Sequence, residues 1–151
     1  MSAEVAVLVG LPGAGKSTFY RQRLAATHAH VSKDLLPNAR TRQARQDALV
    51  REALASGRSV AVDNTNVAAA DRAAIVSIAR GFGVRVVAHY IEATTREAVA
   101  RNERREGRSR VPKVAIFTCA KRLVPPSLDE GFDEVHVWRV SETGAFEEAG
   151  S

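Results

Sequence analysis

A glycine-rich segment that runs into a lysine and a serine is the part of this sequence whose residue types and spacing most clearly carry chemistry. It reads Gly10-Leu11-Pro12-Gly13-Ala14-Gly15-Lys16-Ser17-Thr18 and fits the phosphate-binding pattern G-x-x-x-x-G-K-[ST] at every fixed position. Glycines let several backbone N–H groups approach one phosphate, and the N-terminus of the following helix adds its positive dipole end. The pattern therefore predicts a site for a nucleoside triphosphate.

Two side chains of this segment have separate roles in phosphoryl transfer. Lys16 would carry its positive charge to the β- and γ-phosphate oxygens, and Ser17 would offer its hydroxyl to Mg²⁺. The residues expected to bind ATP are Gly10, Pro12, Gly13, Ala14, Gly15, Lys16, Ser17 and Thr18. Lys16 is also expected to act in catalysis.

Two carboxylates lie directly after predicted strands, where a second substrate could approach the bound phosphates. Asp34 is the candidate general base that would take the proton from an acceptor hydroxyl, although it could instead cap the turn into the next helix. Asp63 could hold a metal-bound water, orient an arginine, or cap the helix after the polar run Asp63-Asn64-Thr65-Asn66. The sequence alone leaves these alternatives open.

Arginines are concentrated in two parts of the chain. Residues 101–112 contain Arg101, Arg104, Arg105, Arg108 and Arg110 around a glycine between two predicted helices, and a second group contains Arg40, Arg42, Arg45 and Arg51. A run of this kind is usually a solvated helix end. Beside a phosphate-binding segment, however, it is typical of a mobile lid that closes over the triphosphate and stabilises charge in the transition state.

The elements that must position these residues alternate between strands and helices. Strands are predicted over about 4–9, 28–32, 59–62, 84–91 and 135–138, and helices over about 17–26, 39–56, 68–80, 95–105 and 112–122. This alternation indicates an α/β fold with a parallel sheet. Because ligands bind at the carboxyl ends of strands in such sheets, Gly10, Asp34 and Asp63 should meet at one edge. The C-terminal tail, about 141–151, is expected to be frayed.

Bulk composition indicates one globular domain over residues 1–151. The chain has 45% hydrophobic and 26% charged residues, with a net charge of +5. The positive charge suits a polyanionic partner, although a surplus of this size is also common in other soluble proteins. The single cysteine, Cys119, leaves no disulfide partner, and neither a membrane-spanning run nor a signal peptide is expected. These features favour a cytoplasmic protein.

Several segments in a fixed order resemble the kinase domain of polynucleotide 5′-hydroxyl kinases, which are P-loop kinases. They are the phosphate-binding segment, Val31-Ser32-Lys33-Asp34, Val62-Asp63-Asn64-Thr65-Asn66, Arg101-Asn102-x-x-Arg105 and Val111-Pro112. The segment Pro125-Pro126-Ser127-Leu128-Asp129-Glu130-Gly131-Phe132 is similar to the part of the family that precedes its last strand. The resemblance covers residues 5–140, which is nearly the whole chain.

For the ATP side, the resemblance implies a fold and a set of residue roles. The fold would be that of a P-loop NTPase of the adenylate-kinase type, with a five-stranded parallel sheet and helices on both faces. Lys16 and Ser17, with Mg²⁺, would hold ATP. The lid residues Arg101 and Arg105 would contact its phosphates, and Arg105 would also act in catalysis.

For the acceptor side, the resemblance implies that Asp34 deprotonates the 5′-hydroxyl end of DNA or RNA and that Asp63 supports the active site. Many relatives bind the acceptor's 3′-phosphate with an arginine three residues after the base, where this chain has Pro37. Arg40 or Arg42 could reach that phosphate instead. The residues expected to contact the acceptor are Asp34, Asp63, Asn64, Arg40 and Arg42.

Two other functions remain open at this point. A kinase of a small hydroxylated metabolite or antibiotic is favoured by Pro37, which replaces the phosphate-binding arginine. A nucleotide-binding regulatory or toxin-type protein is disfavoured by Asp34, because a pure ATP switch needs no base at that position. The basic residues near Arg40 and Arg101 favour the nucleic-acid acceptor.

Overall fold

Strands alternate with helices through residues 3–36, 38, 40–107 and 110–149, which are those that the computed structural model describes. The strands are β1 (Glu4–Val9), β2 (His28–Val31), β3 (Ser59–Asp63), β4 (Arg85–Ile91), β5 (Glu134–Val140) and β6 (Phe146–Glu148). The α-helices are α1 (Lys16–Phe19), α2 (Arg42–Ala55), α3 (Ala69–Phe82), α4 (Thr95–Glu103) and α5 (Lys113–Arg122). The chain also forms the 3₁₀ turns Lys33–Leu35 and Leu128–Glu130 and the π-helix Tyr20–Leu24.

All of these strands join one sheet in the order β2-β3-β1-β4-β5-β6. Pairings among the first five are parallel, and β6 runs antiparallel to β5. The carboxyl ends of β2, β3 and β1 therefore lie side by side, so the segments that follow these strands reach the same edge. The predicted α/β fold with a parallel sheet is confirmed.

The central strand β1 separates two apolar cores, and every residue from Val5 to Val9 is fully buried. Val5, Val7 and Val9 face a core to which α2 and α3 contribute. Ala6 and Leu8 face a second core that contains residues of α1, α4 and α5. A strand covered on both faces needs this continuous apolar sequence, and the predicted helices on both faces of the sheet are present.

The C-terminal residues correct the predicted strand count and the predicted frayed tail. Residues Phe146–Glu148 form a sixth strand, antiparallel to β5. A tight turn precedes this strand, and Gly144, with a φ of 85°, permits it. In this turn the N–H of Ala145 donates to the hydroxyl of Ser141. Phe146 is buried, so one side chain anchors a strand too short for its alternation to be recognised from the sequence.

The first helix departs most from its predicted boundaries. Instead of one helix reaching Ala26, α1 ends at Phe19 and continues as the π-helix Tyr20–Leu24. Helix α4 also ends earlier than predicted, at Glu103 instead of about residue 105. In the part of the chain that the structure describes, no helix has the length and apolar character that a membrane crossing requires.

Candidate active site

A cleft of about 1050 Å³ opens at the carboxyl edge of the sheet. The predicted site residues in its lining are Pro12, Gly15, Lys16, Ser17, Thr18, Asp34, Arg42, Asp63, Asn64 and Arg105. The other predicted residues do not line the cleft. Gly10, Gly13 and Ala14 are buried within the loop, and Arg40 is exposed outside the cleft lining. Arg101, on α4, contacts the loop. The fold therefore brings residues from five separate segments to one cavity, while their chemical roles stay predictions.

The phosphate loop, residues 10–18, requires glycine where it approaches α4. Gly13 has a φ of 86° and Gly15 a φ of 112°, a region that favours glycine. A Cβ at Gly13 would lie 2.5 Å from the carbonyl oxygen of Ala98, so no larger residue fits against that helix. The loop begins with a bond of 3.0 Å from the N–H of Gly10 to the carbonyl oxygen of Thr65. These contacts fix the loop against α4 and the end of β3.

Lys16 is buried at the floor of the cleft, with 8% of its surface exposed. Its Nζ donates a hydrogen bond of 2.9 Å to the carbonyl oxygen of Leu11. Burial lowers the pKa of Lys16 to about 8, against the opposing attraction of Asp63. The ammonium group is therefore held inside the loop, where a phosphate would be a better partner than a neutral carbonyl.

Ser17 and Asp63 form the oxygen-rich part of the cleft. The hydroxyl of Ser17 donates a hydrogen bond of 2.8 Å to Oδ2 of Asp63, which is itself buried. A carboxylate and a hydroxyl are hard oxygen donors of the kind that Mg²⁺ prefers, and Mg²⁺ commonly takes few protein ligands alongside phosphates. The donor set therefore fits the predicted metal, with Ser17 as the ligand and Asp63 as its hydrogen-bond acceptor.

Asp34 lies on the exposed 3₁₀ turn that follows β2, and its position depends on a bridge to α2. The N–H of Lys33 donates to Oδ1 of Asn64 at 2.8 Å, and the amide nitrogen of Asn64 donates to the buried Gln46. The N–H of Asp34 bonds to the hydroxyl of Ser32 at 3.3 Å. Asn64 thus fixes the turn that carries the candidate base, rather than only capping a helix.

The end of β3 is held by a second set of buried polar groups. Asn66, with a φ of 45°, donates its side-chain amide to the carbonyl oxygen of Leu8 at 2.8 Å. Arg72 is fully buried and bonds to the carbonyl oxygens of Asn66 and Val67, at 2.9 and 3.1 Å. Its remaining donors form a bidentate pair with Glu130, at 2.7 and 2.8 Å. This network joins the segment before the last parallel strand to the site.

The predicted lid segment, residues 101–112, is attached to the rest of the site by the last turn of α4. Arg101 donates to the carbonyl oxygen of Ala14 in the phosphate loop, at 3.1 Å. The buried side chain of Asn102 makes two bonds to the backbone of Val111, accepting from its N–H at 2.9 Å and donating to its carbonyl oxygen at 2.6 Å. Arg105, between these two anchors in sequence, lines the cleft.

Of the two arginines predicted to bind an acceptor phosphate, only Arg42 lines the cleft. Arg42 lines the cleft, with its Nε bonded to the carbonyl oxygen of Leu36 at 3.0 Å, whereas Arg40 is exposed outside the lining. Pro37, where the resemblance departs from its family, and Arg108 of the lid lie outside the described residues.

Three residues around the site were not predicted from the sequence. Gln46 could have been noticed, because it is a polar residue on the apolar side of a predicted helix. His30, whose Nε2 lies 2.8 Å from Oδ2 of Asp63, had no such signal, since the contact depends on β2 and β3 being neighbours. The sequence gives no sign that Arg72 is buried, because its partner Glu130 lies in a distant segment.

Comparisons with known proteins agree with this fold. A family model described as an AAA domain, AAA_33, matches residues 5–126. The chain is 29% identical over 136 residues to the bifunctional polynucleotide phosphatase/kinase of Schizosaccharomyces pombe; the match covers 87% of the chain but only 32% of that curated relative.

Two solved structures show the same fold at low sequence identity. Chaetomium thermophilum Kti12 in complex with ADP-AlF3 has a TM-score of 0.73 at 18% identity, over 93% of this chain and 92% of that one. A sugar kinase from Janibacter sp. HTCC2649 has a TM-score of 0.69 at 15% identity, over 92% of this chain and 86% of that one.

Proposed function

Because the chain belongs to the AAA_33 family and is a P-loop kinase domain, we propose that it transfers the γ-phosphate of ATP to the 5′-hydroxyl end of DNA or RNA. The observation that carries this proposal is the shared cleft. The phosphate loop and Asp34 line the same cavity, with Arg42 and Arg105 in its walls. A cavity lined by the phosphate loop, an exposed carboxylate and the guanidinium groups of Arg42 and Arg105 has the parts that phosphoryl transfer to an anionic alcohol requires.

In the proposed reaction, Asp34 takes the proton of the acceptor hydroxyl as that oxygen attacks the γ-phosphorus. The bond from the γ-phosphorus to the bridging oxygen breaks, and ADP leaves with the electron pair. Lys16 leaves the carbonyl of Leu11 for the phosphates, and Arg105 adds a second positive charge from the lid side. Mg²⁺ at Ser17 would, when bound, neutralise phosphate charge.

The acceptor side of the cleft combines charge with an apolar surface. Arg42 would bind a phosphate of the acceptor strand, in place of the arginine that Pro37 replaces. Leu35 lines the same cleft and is 63% exposed. An exposed apolar side chain in the same lining as a carboxylate and a guanidinium suits a nucleotide, whose base and phosphate need apolar and charged contacts.

The test uses ATP labelled at the γ-phosphate with a 5′-hydroxyl oligonucleotide and, as a matched control, the same oligonucleotide with a 5′-phosphate. We expect label at the 5′ end of the first and none on the second. If the 5′-hydroxyl strand also stays unlabelled, with ATP bound, the nucleic-acid acceptor is wrong.

The likeness to a sugar kinase supports a second candidate, transfer to a small hydroxylated molecule. Salt separates the two. Affinity for an oligonucleotide falls steeply with ionic strength because binding releases counterions, whereas affinity for a neutral acceptor changes little. Label on a sugar but on no oligonucleotide would favour this second candidate.

A further inference from the structure

Oδ2 of Asp63 is the meeting point of two donors that come from different elements. Ser17 reaches it from α1 at 2.8 Å, and Nε2 of His30 reaches it from β2 at 2.8 Å. An ionised carboxylate can only accept, so His30 donates its Nε2 hydrogen in this contact. The carboxylate oxygen that bonds to Ser17 is therefore also held by a histidine from a second element.

His30 is itself held in place by Tyr20, the first residue of the π-helix. The two rings are stacked, with centroids 4.1 Å apart and planes 15° apart. The hydroxyl of Tyr20 donates to the carbonyl oxygen of His28 at 2.7 Å, which ties the ring to β2. A π-helix is rare and is often found at functional sites. Here it begins at the residue that packs on His30.

We propose that His30, held by Tyr20, is a positioning residue that orients Asp63 so that Ser17 presents its lone pairs to a divalent cation. A serine hydroxyl has one hydrogen and two lone pairs. When Asp63 accepts that hydrogen, both lone pairs of the Ser17 oxygen are left for a metal. Holding the Asp63 carboxylate in place therefore also holds the orientation of the Ser17 hydroxyl. The inference rests on the proposed kinase function, and His30 acts without touching the metal or either substrate.

The chain offers a matched control on the same strand. His28 also donates to a carboxylate, with its Nε2 3.0 Å from Oε2 of Glu4, but this pair lies at the other end of β2 and outside the cleft lining. His28→Phe and His30→Phe therefore make the same change of side chain and break the same kind of contact. Only the second variant removes a bond to Asp63.

The experiment measures the affinity of the intact protein for the non-hydrolysable ATP analogue AMP-PNP by calorimetry, in excess MgCl₂ and in EDTA. The quantity compared is the ratio of the metal-free dissociation constant to the Mg²⁺-loaded one. Loss of an outer-sphere partner commonly weakens metal binding 10- to 100-fold. We expect His30→Phe to lower the ratio about 10-fold with little change in EDTA, and His28→Phe to leave it within about twofold of the wild type.

A third variant keeps the inference testable if phenylalanine disturbs folding. His30→Gln keeps an N–H near the position of Nε2 and should recover most of the ratio. An unchanged ratio in His30→Phe, an equal fall in His28→Phe, or no recovery in His30→Gln would each overturn the inference. No acceptor is present, so a failed labelling of oligonucleotides would refute the acceptor without affecting this result.

Discussion

Phe146 of β6 packs edge-on against Phe19 of α1, with ring centroids 5.2 Å apart. The same ring lies behind the phosphate loop, since a Cβ placed on Gly15 would be 3.7 Å from it. Arg23 adds a hydrogen bond of 3.3 Å to the carbonyl oxygen of Phe146. The C-terminal strand therefore packs against the phosphate loop and α1 from outside the cleft lining.

Phe146→Ala should lower the free energy of unfolding by about 3–5 kcal/mol, because it leaves a cavity among buried aromatic rings. It should also weaken ATP binding, since α1 loses its support. Phe117→Ala is the control, because Phe117 is 48% exposed and its removal should cost no more than about 0.5 kcal/mol. Denaturant unfolding and calorimetry check both effects; equal costs for the two variants would contradict the assigned packing.

Gly13→Ala should weaken ATP binding at least about 10-fold, because the added methyl group meets the carbonyl oxygen of Ala98 at 2.5 Å and must displace the loop or α4. Gly81→Ala is the matched control. Nothing lies within 4 Å of a Cβ at Gly81, and alanine in a helix should add about 0.5–1 kcal/mol of stability. Wild-type ATP affinity in Gly13→Ala would show that the loop is not packed as described.

His89 should make the protein less stable in acid. Burial lowers its pKa to about 4, with repulsion from His136 adding to the effect, and its Nδ1 accepts a bond of 3.1 Å from the indole of Trp138. The unfolded chain takes up the proton near pH 6.5, before the folded protein does. The stability contributed by neutral His89 is therefore present above about pH 6.5 and is lost as the pH falls towards 4, by up to about 3 kcal/mol.

His89→Asn keeps an acceptor near Nδ1 but does not titrate. Unfolding curves at several pH values should show a shallower fall in stability for this variant between pH 6.5 and 4. Parallel curves for the two proteins would mean that other groups carry the acid dependence.

Arg42→Ala should raise the KM for an oligonucleotide acceptor about 10-fold, with a smaller change in kcat. Because one phosphate contact is lost, the slope of log affinity against log salt concentration should also become shallower by about 1. Arg51→Ala, on the same helix but outside the cleft lining, is the control for net charge. Equal effects of both substitutions would indicate non-specific attraction and no phosphate contact at Arg42.

The phosphate loop and the edge where it meets Asp34 and Asp63 could be predicted from the sequence because their signals are local. Each signal lies within a short segment of sequence: the spacing of the glycines, the apolar strand that precedes them, and the polar residue that follows each strand. Because ligands bind at the carboxyl ends of the strands in a parallel α/β sheet, the residues predicted for the site largely meet in the cleft.

The parts that could not be predicted depend on contacts between distant segments. β6 has only Phe146 to mark it, and its partner is Phe19, far away in the sequence. The bond from His30 to Asp63 and the pair of Arg72 with Glu130 exist only once the strands are in their places. Local patterns carry no information about such pairs.

The most direct test of the central claim is transfer of the γ-phosphate to a 5′-hydroxyl oligonucleotide by Asp34→Asn, with Asp129→Asn, an exposed carboxylate outside the cleft lining, as the control. Loss of a general base costs roughly 10²–10⁴-fold in rate. We expect kcat to fall by that factor in Asp34→Asn, with ATP affinity within about twofold of the wild type, and no change in Asp129→Asn. Wild-type transfer by Asp34→Asn, or no transfer to the oligonucleotide by the unaltered protein, would contradict the account.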